Sequence, residues 1–347
     1  MIDNFKLKCF NERITRQLTP DFLNGKYAVK IIGDNDYKFK LYNSKNLTSS
    51  YLTIVCQHIN SAGKPKHFSI DGSIRKWWFG DKSLKDLSIM DYADAINSVF
   101  EILEIPQKDR KYFVISRIEI GMNVFVKLPC YEILNRIIGY KSISYSRNAY
   151  KTGIVYKSAT KIGIKMYDKI EEISKDFKNK RIKSFDEAQF LKENKEKNAL
   201  RIEFTPKEPA KIKKELGFND LENSTVHFDK FYSYFWEQLQ HIQYDNAYNL
   251  TSDIDFSDIG GKEFDDLLLI CGVIHLGIER IDIALKQPHF KYRRAKVKKL
   301  RKKYPVEDCP YNRLSFLKDV KIEMLYSMQK SGCLHLVKEG LLKNKLF

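Results

Sequence analysis

Two pentapeptides far apart in the chain carry almost the same pattern, SRIEI at 116–120 and LRIEF at 200–204. A third segment, IGIKMYD at 162–168, alternates in the same way. In an extended strand successive side chains point to opposite faces. Ile118, Ile120, Met122 and Val124 therefore turn one way, and Arg117, Glu119, Gly121 and Asn123 the other. Leu200, Ile202 and Phe204 oppose Arg201 and Glu203, while Ile162, Ile164 and Met166 oppose Lys165, Tyr167 and Lys169. Such segments suit an antiparallel sheet with one apolar and one polar face.

If the three strands are neighbours, the polar face gathers two glutamates, two arginines, two lysines and a tyrosine. Phosphoryl transfer needs a nucleophilic oxygen, carboxylates for a divalent cation, and positive groups for the phosphate. A free tyrosine has a pKa near 10, and attack by its oxygen would leave a covalent phosphotyrosine. An ordinary half-exposed sheet with Glu, Lys and Arg cross-strand pairs shows the same alternation, so the pattern by itself leaves both readings open.

Charge points to a polyanion. The 347 residues hold 61 Lys and Arg against 44 Asp and Glu, a formal charge of +17. Nucleic acid or an anionic membrane is the implied partner. No apolar run approaches the roughly 18 to 20 residues that span a bilayer, and the opening MIDNFKLKCF has no signal-peptide core. The six cysteines include no C-x-x-C pair, which suits reduced thiols in a cytoplasm.

Along the chain, strand patterns fall at 50–59, 112–126, 152–156, 162–168 and 199–206, and a helical pattern covers 83–103 with Pro106 beyond its end. A second helix is expected over 130–138. The highly charged stretch 171–198 is expected to be a helical or mobile excursion between two strands. After Pro209 the pattern is helical. This predicts an α+β chain, with an antiparallel-sheet domain over 1–220 followed by a smaller, mostly helical domain over 221–347. In the latter, nine of the thirteen residues 291–303 are Lys or Arg. Phe290, Val297, Leu300 and Tyr304 form a narrow apolar stripe on this helix, predicted to span 290–304, which leaves Arg293, Arg294, Lys298, Lys299, Arg301, Lys302 and Lys303 for DNA. A solvated charged face is the alternative.

The stretches MIDNFKLK, IDGSIRKWWFGD (70–81), ISRIEIGMNV (115–124), GIVYKSATKIGIKMYDKIEEI (153–173), LRIEFTPK (200–207) and HFKYRRAKVKKLRKKYPVED (289–308) resemble, in order and spacing, the gene II-type replication initiators of filamentous phages and related plasmid rolling-circle initiators. The resemblance implies an endonuclease that nicks one strand of circular double-stranded DNA at an origin. It would become joined to the 5′ phosphate through a tyrosine and later religate the displaced strand. The family's tyrosine-lysine motif falls on Tyr167. Glu119 stands where relatives often carry aspartate. No His-hydrophobic-His motif is present, so metal binding falls to carboxylates.

The resulting assignment gives Tyr167 as nucleophile, Lys165, Lys169 and Arg201 near the phosphate, and Glu119 and Glu203 as ligands of Mg²⁺ or Mn²⁺, with Asp71 or His58 as further ligands. Tyr156 is a second tyrosine for stacking, for rejoining, or for packing. Arg75 and Lys76, in a tryptophan-bearing loop, and Arg147, in an aromatic loop with Tyr145 and Tyr150, are candidates for DNA contact. Expected partners are double- and single-stranded origin DNA, with host polymerase and helicase, in the cytoplasm of a bacterial host. Two rivals remain: an origin-binding protein without cleavage, and a metal-independent tyrosine recombinase-like transferase.

Overall fold

A computed structural model of the chain describes residues 1–15, 17–18, 29–32, 36–43, 50–57, 65–140, 146–150, 153–157, 162–179, 187–194, 196–206, 208–244, 248–250, 260–276, 281, 285–286, 291–304, 306–308 and 312–333. The fold is α+β and centres on one antiparallel sheet of ten strands. The strands are β1 (Ile2–Cys9), β2 (Val29–Ile32), β3 (Asp36–Tyr42), β4 (Tyr51–Gln57), β5 (His67–Ser73) and β6 (Phe113–Val126), then β8 (Ser146–Tyr150), β9 (Gly153–Lys157), β10 (Ile162–Asp168) and β11 (Asn198–Pro206). A short β7 (Ile137–Tyr140) lies outside this sheet. The order is β2-β3-β4-β5-β1-β6-β11-β10-β9-β8, so β6, β11 and β10, the three strands with the shared pattern, are neighbours.

Alternation sorts the two faces. Phe5, Leu7, Phe39, Ile54, Ile70, Ile118, Ile120, Ile202, Phe204 and Ile164 are all buried on one side. A register shift between β1 and β6, where Lys6 faces Arg117 but Leu7 faces Ile115, inserts Ser116 as a bulge. Ile115 and Ile118 thereby both reach the apolar face.

Helices close that face. The helix Ile89–Ile102 begins at a capping box, with the Ser88 side chain accepting from the Asp91 N–H and the Asp91 side chain accepting from the Ser88 N–H. Its Tyr92, Ile96, Val99 and Phe100 are buried, and Phe100 packs 4.8 Å from Phe113. It starts later than the expected 83–103, because 83–88 is drawn out to send Asp86 into the polar side of the sheet. The second expected helix spans Cys130–Arg136, and the charged excursion contains helices Lys169–Lys178 and Glu187–Asn194.

The apolar core does not stop at residue 220. Phe231, Phe235 and Leu239 of the helix Asp229–Gln240, and Phe316, Val320, Met324 and Met328 of the helix Arg313–Lys330, belong to the same cluster as the sheet. Phe235 meets Phe204 at 5.4 Å. Between these helices lies a different unit. The strands β13 (Tyr248–Leu250) and β14 (Val306–Asp308) pair antiparallel, and the helices Gly261–Leu276 and Lys291–Lys303 share a small separate core of Leu267, Ile270, Leu300 and Tyr304. A further short pair joins β7 to β12 (Ile242–Tyr244). Among the described residues no helix is long and apolar enough to cross a membrane.

Candidate active site

The register of β6, β11, β10 and β9 writes two rows across the polar face. Gly121, Glu203, Lys165 and Val155 face one another in the first. Asn123, Arg201, Tyr167 and Gly153 do so in the second. The Tyr167 hydroxyl donates to Glu203 Oε1 at 2.9 Å. The other oxygen of Glu203 lies 3.4 Å from Lys165 Nζ, and the same ammonium is 2.8 Å from Glu119 Oε1. One cation thus joins two carboxylates on adjacent strands.

Two glycines make this possible. A Cβ at Gly121 would stand 2.8 Å from Glu203 Cγ, and one at Gly153 would stand 2.8 Å from Tyr167 Cβ. Both are closer than a methyl group tolerates. The glycines give Glu203 and Tyr167 the room in which their side chains lie.

Beneath the rows is a buried charge layer. Arg201 is fully buried. Its guanidinium donates to Glu203 Oε1 at 3.1 Å, Asp3 Oδ2 at 2.8 Å, and Asp86. Asp86 also accepts from the Asn123 N–H at 2.8 Å. Arg75, likewise buried, lies 3.4 Å from Asp3 and donates to the Ser83 carbonyl at 2.8 Å. Burial opposes the charge of Asp3, but Arg75 and Arg201 outweigh it and hold the carboxyl well below its usual range. Lys169, also buried, pairs with Glu172, whose other oxygen is 3.5 Å from Lys76. Burial and the neighbouring Arg75 charge bring the Lys169 ammonium down to about 8.

The upper groups are tuned oppositely. Burial, followed by the charge of Glu203, pushes the Tyr167 phenol well above its ordinary value. Burial and Glu203 raise Glu119 as well. Lys165 resists burial because Glu203 and Glu119 outweigh it, and its ammonium is pushed up to about 12. A groove of about 420 Å³ opens over these groups, lined by Lys165, Tyr167 and Glu203 with Glu172 and Lys175 of the adjoining helix and Asn179 at its C-terminal end.

Lys165, Tyr167 and Glu203 come together in the groove, with Glu119 joined to it through Lys165 and Arg201 and Lys169 buried beside it. Tyr156 does not join them: paired with Ile164, it is buried on the apolar face and its hydroxyl reaches the Ile137 carbonyl at 3.5 Å. Asp71 sits on β5, 2.6 Å from Arg117 and 3.7 Å from Lys6. Among the described residues no three His, Cys, Asp or Glu side chains converge as a metal cluster, and His58 lies outside them. Arg75 and Lys76 belong to the helix Ile74–Phe79, where they serve the charge layer, while Trp77 is buried and donates from its indole to the Leu41 carbonyl at 3.0 Å. Arg147 lies on β8. Its side chain, with Tyr145, is outside the described part.

Sequence reasoning missed Asp3, Asp86, Glu172 and Gly153. Asp3 and Gly153 carry a signal, a polar residue and a gap in alternating strands. Asp86 carries none.

The basic helix Lys291–Lys303 buries only Val297 and Leu300. Lys296 pairs with Asp266 at 3.0 Å and Lys303 with Glu263 at 2.7 Å, while Arg294 donates to the Leu285 carbonyl at 2.7 Å. The two ion pairs clamp the helix to its neighbour Gly261–Leu276. Arg293, Lys298, Lys299 and Lys302 are exposed, and Arg301 is half-buried.

Residues 1–225 match the family defined by the N-terminal part of the phage replication-associated protein of the gene II type. The chain belongs to that family. It is a replication-initiation protein, and the match takes in every residue of the Tyr167 groove and its charge layer. No protein among the curated sequences matches it significantly. The family match ends before the helix Asp229–Gln240, although that helix completes the same core.

Proposed function

We propose that this gene II-type initiator starts rolling-circle replication by cutting one strand of origin DNA with Tyr167. The observation that carries this reading is a tyrosine hydroxyl hydrogen-bonded to a carboxylate, in a groove where a cation bridges that carboxylate to a second one. Because the phenol is held above its ordinary pKa, it attacks as its proton passes to Glu203, a general base already 2.9 Å away. The phenolic oxygen forms a bond to phosphorus, the bond to the 3′ oxygen breaks, and that oxygen takes a proton from solvent. One phosphodiester replaces another, so reversal religates the strand.

Glu119 and Glu203 would suit a divalent cation, because a largely buried and a fully buried carboxylate already converge on the single positive charge of Lys165. Mg²⁺ or Mn²⁺ held by Glu119 and Glu203 would neutralise charge on the phosphate. Arg201 fixes Glu203, and Lys169 lies 5.7 Å from the Tyr167 ring centroid. The freed 3′ hydroxyl would prime a host polymerase, with a host helicase opening the duplex. The basic helix Lys291–Lys303 supplies duplex affinity through Lys298, Lys299 and Lys302.

The test is incubation with supercoiled DNA carrying the protein's own origin, with and without EDTA. Open circles bearing a peptide linked through Tyr167 are expected, and none from Tyr167→Phe. Full nicking by Tyr167→Phe, or an adduct on another residue, refutes the assignment.

A further inference from the structure

The polar face extends beyond the Tyr167 groove. One row crosses it through paired positions on five strands: Lys40, Thr53, Asp71, Lys6 and Arg117. The next runs through Lys38, Val55, Ser69, Lys8 and Val114. Tyr42 and Tyr51, themselves a cross-strand pair, lie at the end of these rows that also points toward Glu119.

Three properties of this surface stand together. The two tyrosine rings are 5.6 Å apart and open, 47% and 39% exposed. The Lys40 ammonium rests 4.1 Å from the centre of the Tyr51 ring. The cations exceed the acids: Lys6 and Arg117 share the single carboxylate of Asp71, and Lys8 and Lys38 have no carboxylate partner among the described residues. Asp36 stands at the far corner, where it accepts from Gln57 at 3.4 Å.

We infer that the β3-β4-β5-β1 half of the polar face is a track for single-stranded DNA leading to Tyr167. Open aromatic rings among cations stack unpaired bases and hold their phosphates, whereas a duplex presents base faces only at its ends. From β4 to β10 the sheet order has five strand spacings, about 24 Å at ~4.8 Å each. A strand of several nucleotides therefore reaches from Tyr51 to the groove. The inference rests on the nicking reading above for the strand's purpose, but the surface is chemically distinct from both the groove and the basic helix.

The experiment uses full-length protein carrying Tyr167→Phe, an unstructured fluorescent thymidine oligonucleotide, and a blunt hairpin duplex as comparator. Tyr42→Ala with Tyr51→Ala is expected to weaken oligonucleotide binding roughly tenfold and to leave the duplex affinity and the melting temperature unchanged. Lys38→Gln with Lys40→Gln should flatten the oligonucleotide salt slope by about 0.7 for each phosphate no longer neutralised. Unchanged oligonucleotide affinity in both variants, or equal losses on oligonucleotide and duplex, overturns the track while leaving the nicking reading standing. Failure of the parent protein to bind either DNA overturns both.

Discussion

The charge layer around Arg201 and the basic helix Lys291–Lys303 are both dense in charge, yet they are opposites. In the layer, Arg201, Arg75 and Lys169 are buried and each has a carboxylate within reach. In the helix the cations lie mostly on the surface, and Lys298, Lys299 and Lys302 have no carboxylate partner among the described residues. Buried charges are tolerable only when paired and hydrogen-bonded, so the layer is committed to holding the fold and the groove. Exposed, unpaired cations cost the fold little and remain available to a polyanion. The difference separates residues that shape the site from residues that capture its substrate.

The harshest way to break this contrast is to remove chain rather than charge. Ending the protein at 225 strips the helices Asp229–Gln240 and Arg313–Lys330 from the apolar face, exposing Phe204, Met122 and Val124. We expect no cooperative thermal transition. Replacing 251–305 with a short linker should instead preserve the transition and remove duplex affinity, since that unit has its own small core. A cooperative 1–225 fragment would show that the two parts are divided elsewhere.

Next in size is Arg201→Met. It leaves Asp3, Asp86 and Glu203 without their shared cation, and the expected loss is about 3–5 kcal/mol, measured by urea denaturation. A stability within 1 kcal/mol (roughly, the scale of a surface change) would mean that the layer is hydrated.

The third effect depends on pH. Lys169 falls from the ordinary 10.5 to about 8 on folding, so between those values the unfolded chain binds the proton that the folded one has lost. Stability from this group should therefore rise as pH climbs from about 8 to 10.5. Lys169→Met should abolish that rise in the difference between melting curves, and an unchanged pH profile would place the lysine in water.

Gly153→Ala is expected to spare the melting temperature more than these changes, because the crowding is local to Tyr167 Cβ. It should lower nicking at least tenfold, as expected when a reacting atom is moved by a fraction of an ångström. Normal nicking would show that the tyrosine shifts freely. The smallest effect on the fold comes from Lys298→Gln, Lys299→Gln and Lys302→Gln together: an unchanged melting temperature, but a duplex salt slope reduced by about 0.9 for each phosphate released. Equal slopes would remove the helix from the DNA interface.

Much of the framework is legible in the residues themselves. β6, β10 and β11 follow from a period of two in apolar residues, which also puts Glu119, Glu203, Lys165 and Tyr167 on one face. The basic helix is evident from composition. Tyr156 marks the limit of such patterns. A strand pattern at 152–156 leaves stacking, rejoining and packing all open for its last residue, and the pairing of Tyr156 with Ile164 turns its ring to the core and selects packing.

What the residues determine alone is local: which side chains share a face, where a serine can cap a helix, where cations accumulate. Strand order and register are decided by packing across the whole chain, and so are the partners of a buried charge. Arg201 draws Asp3 from one end of the chain and Asp86 from an extended loop, separations that no short-range periodicity records. Their choice is tertiary for a physical reason. A charge taken out of water must find its counterions wherever the fold brings them, and here that same requirement holds Glu203 against the hydroxyl of Tyr167.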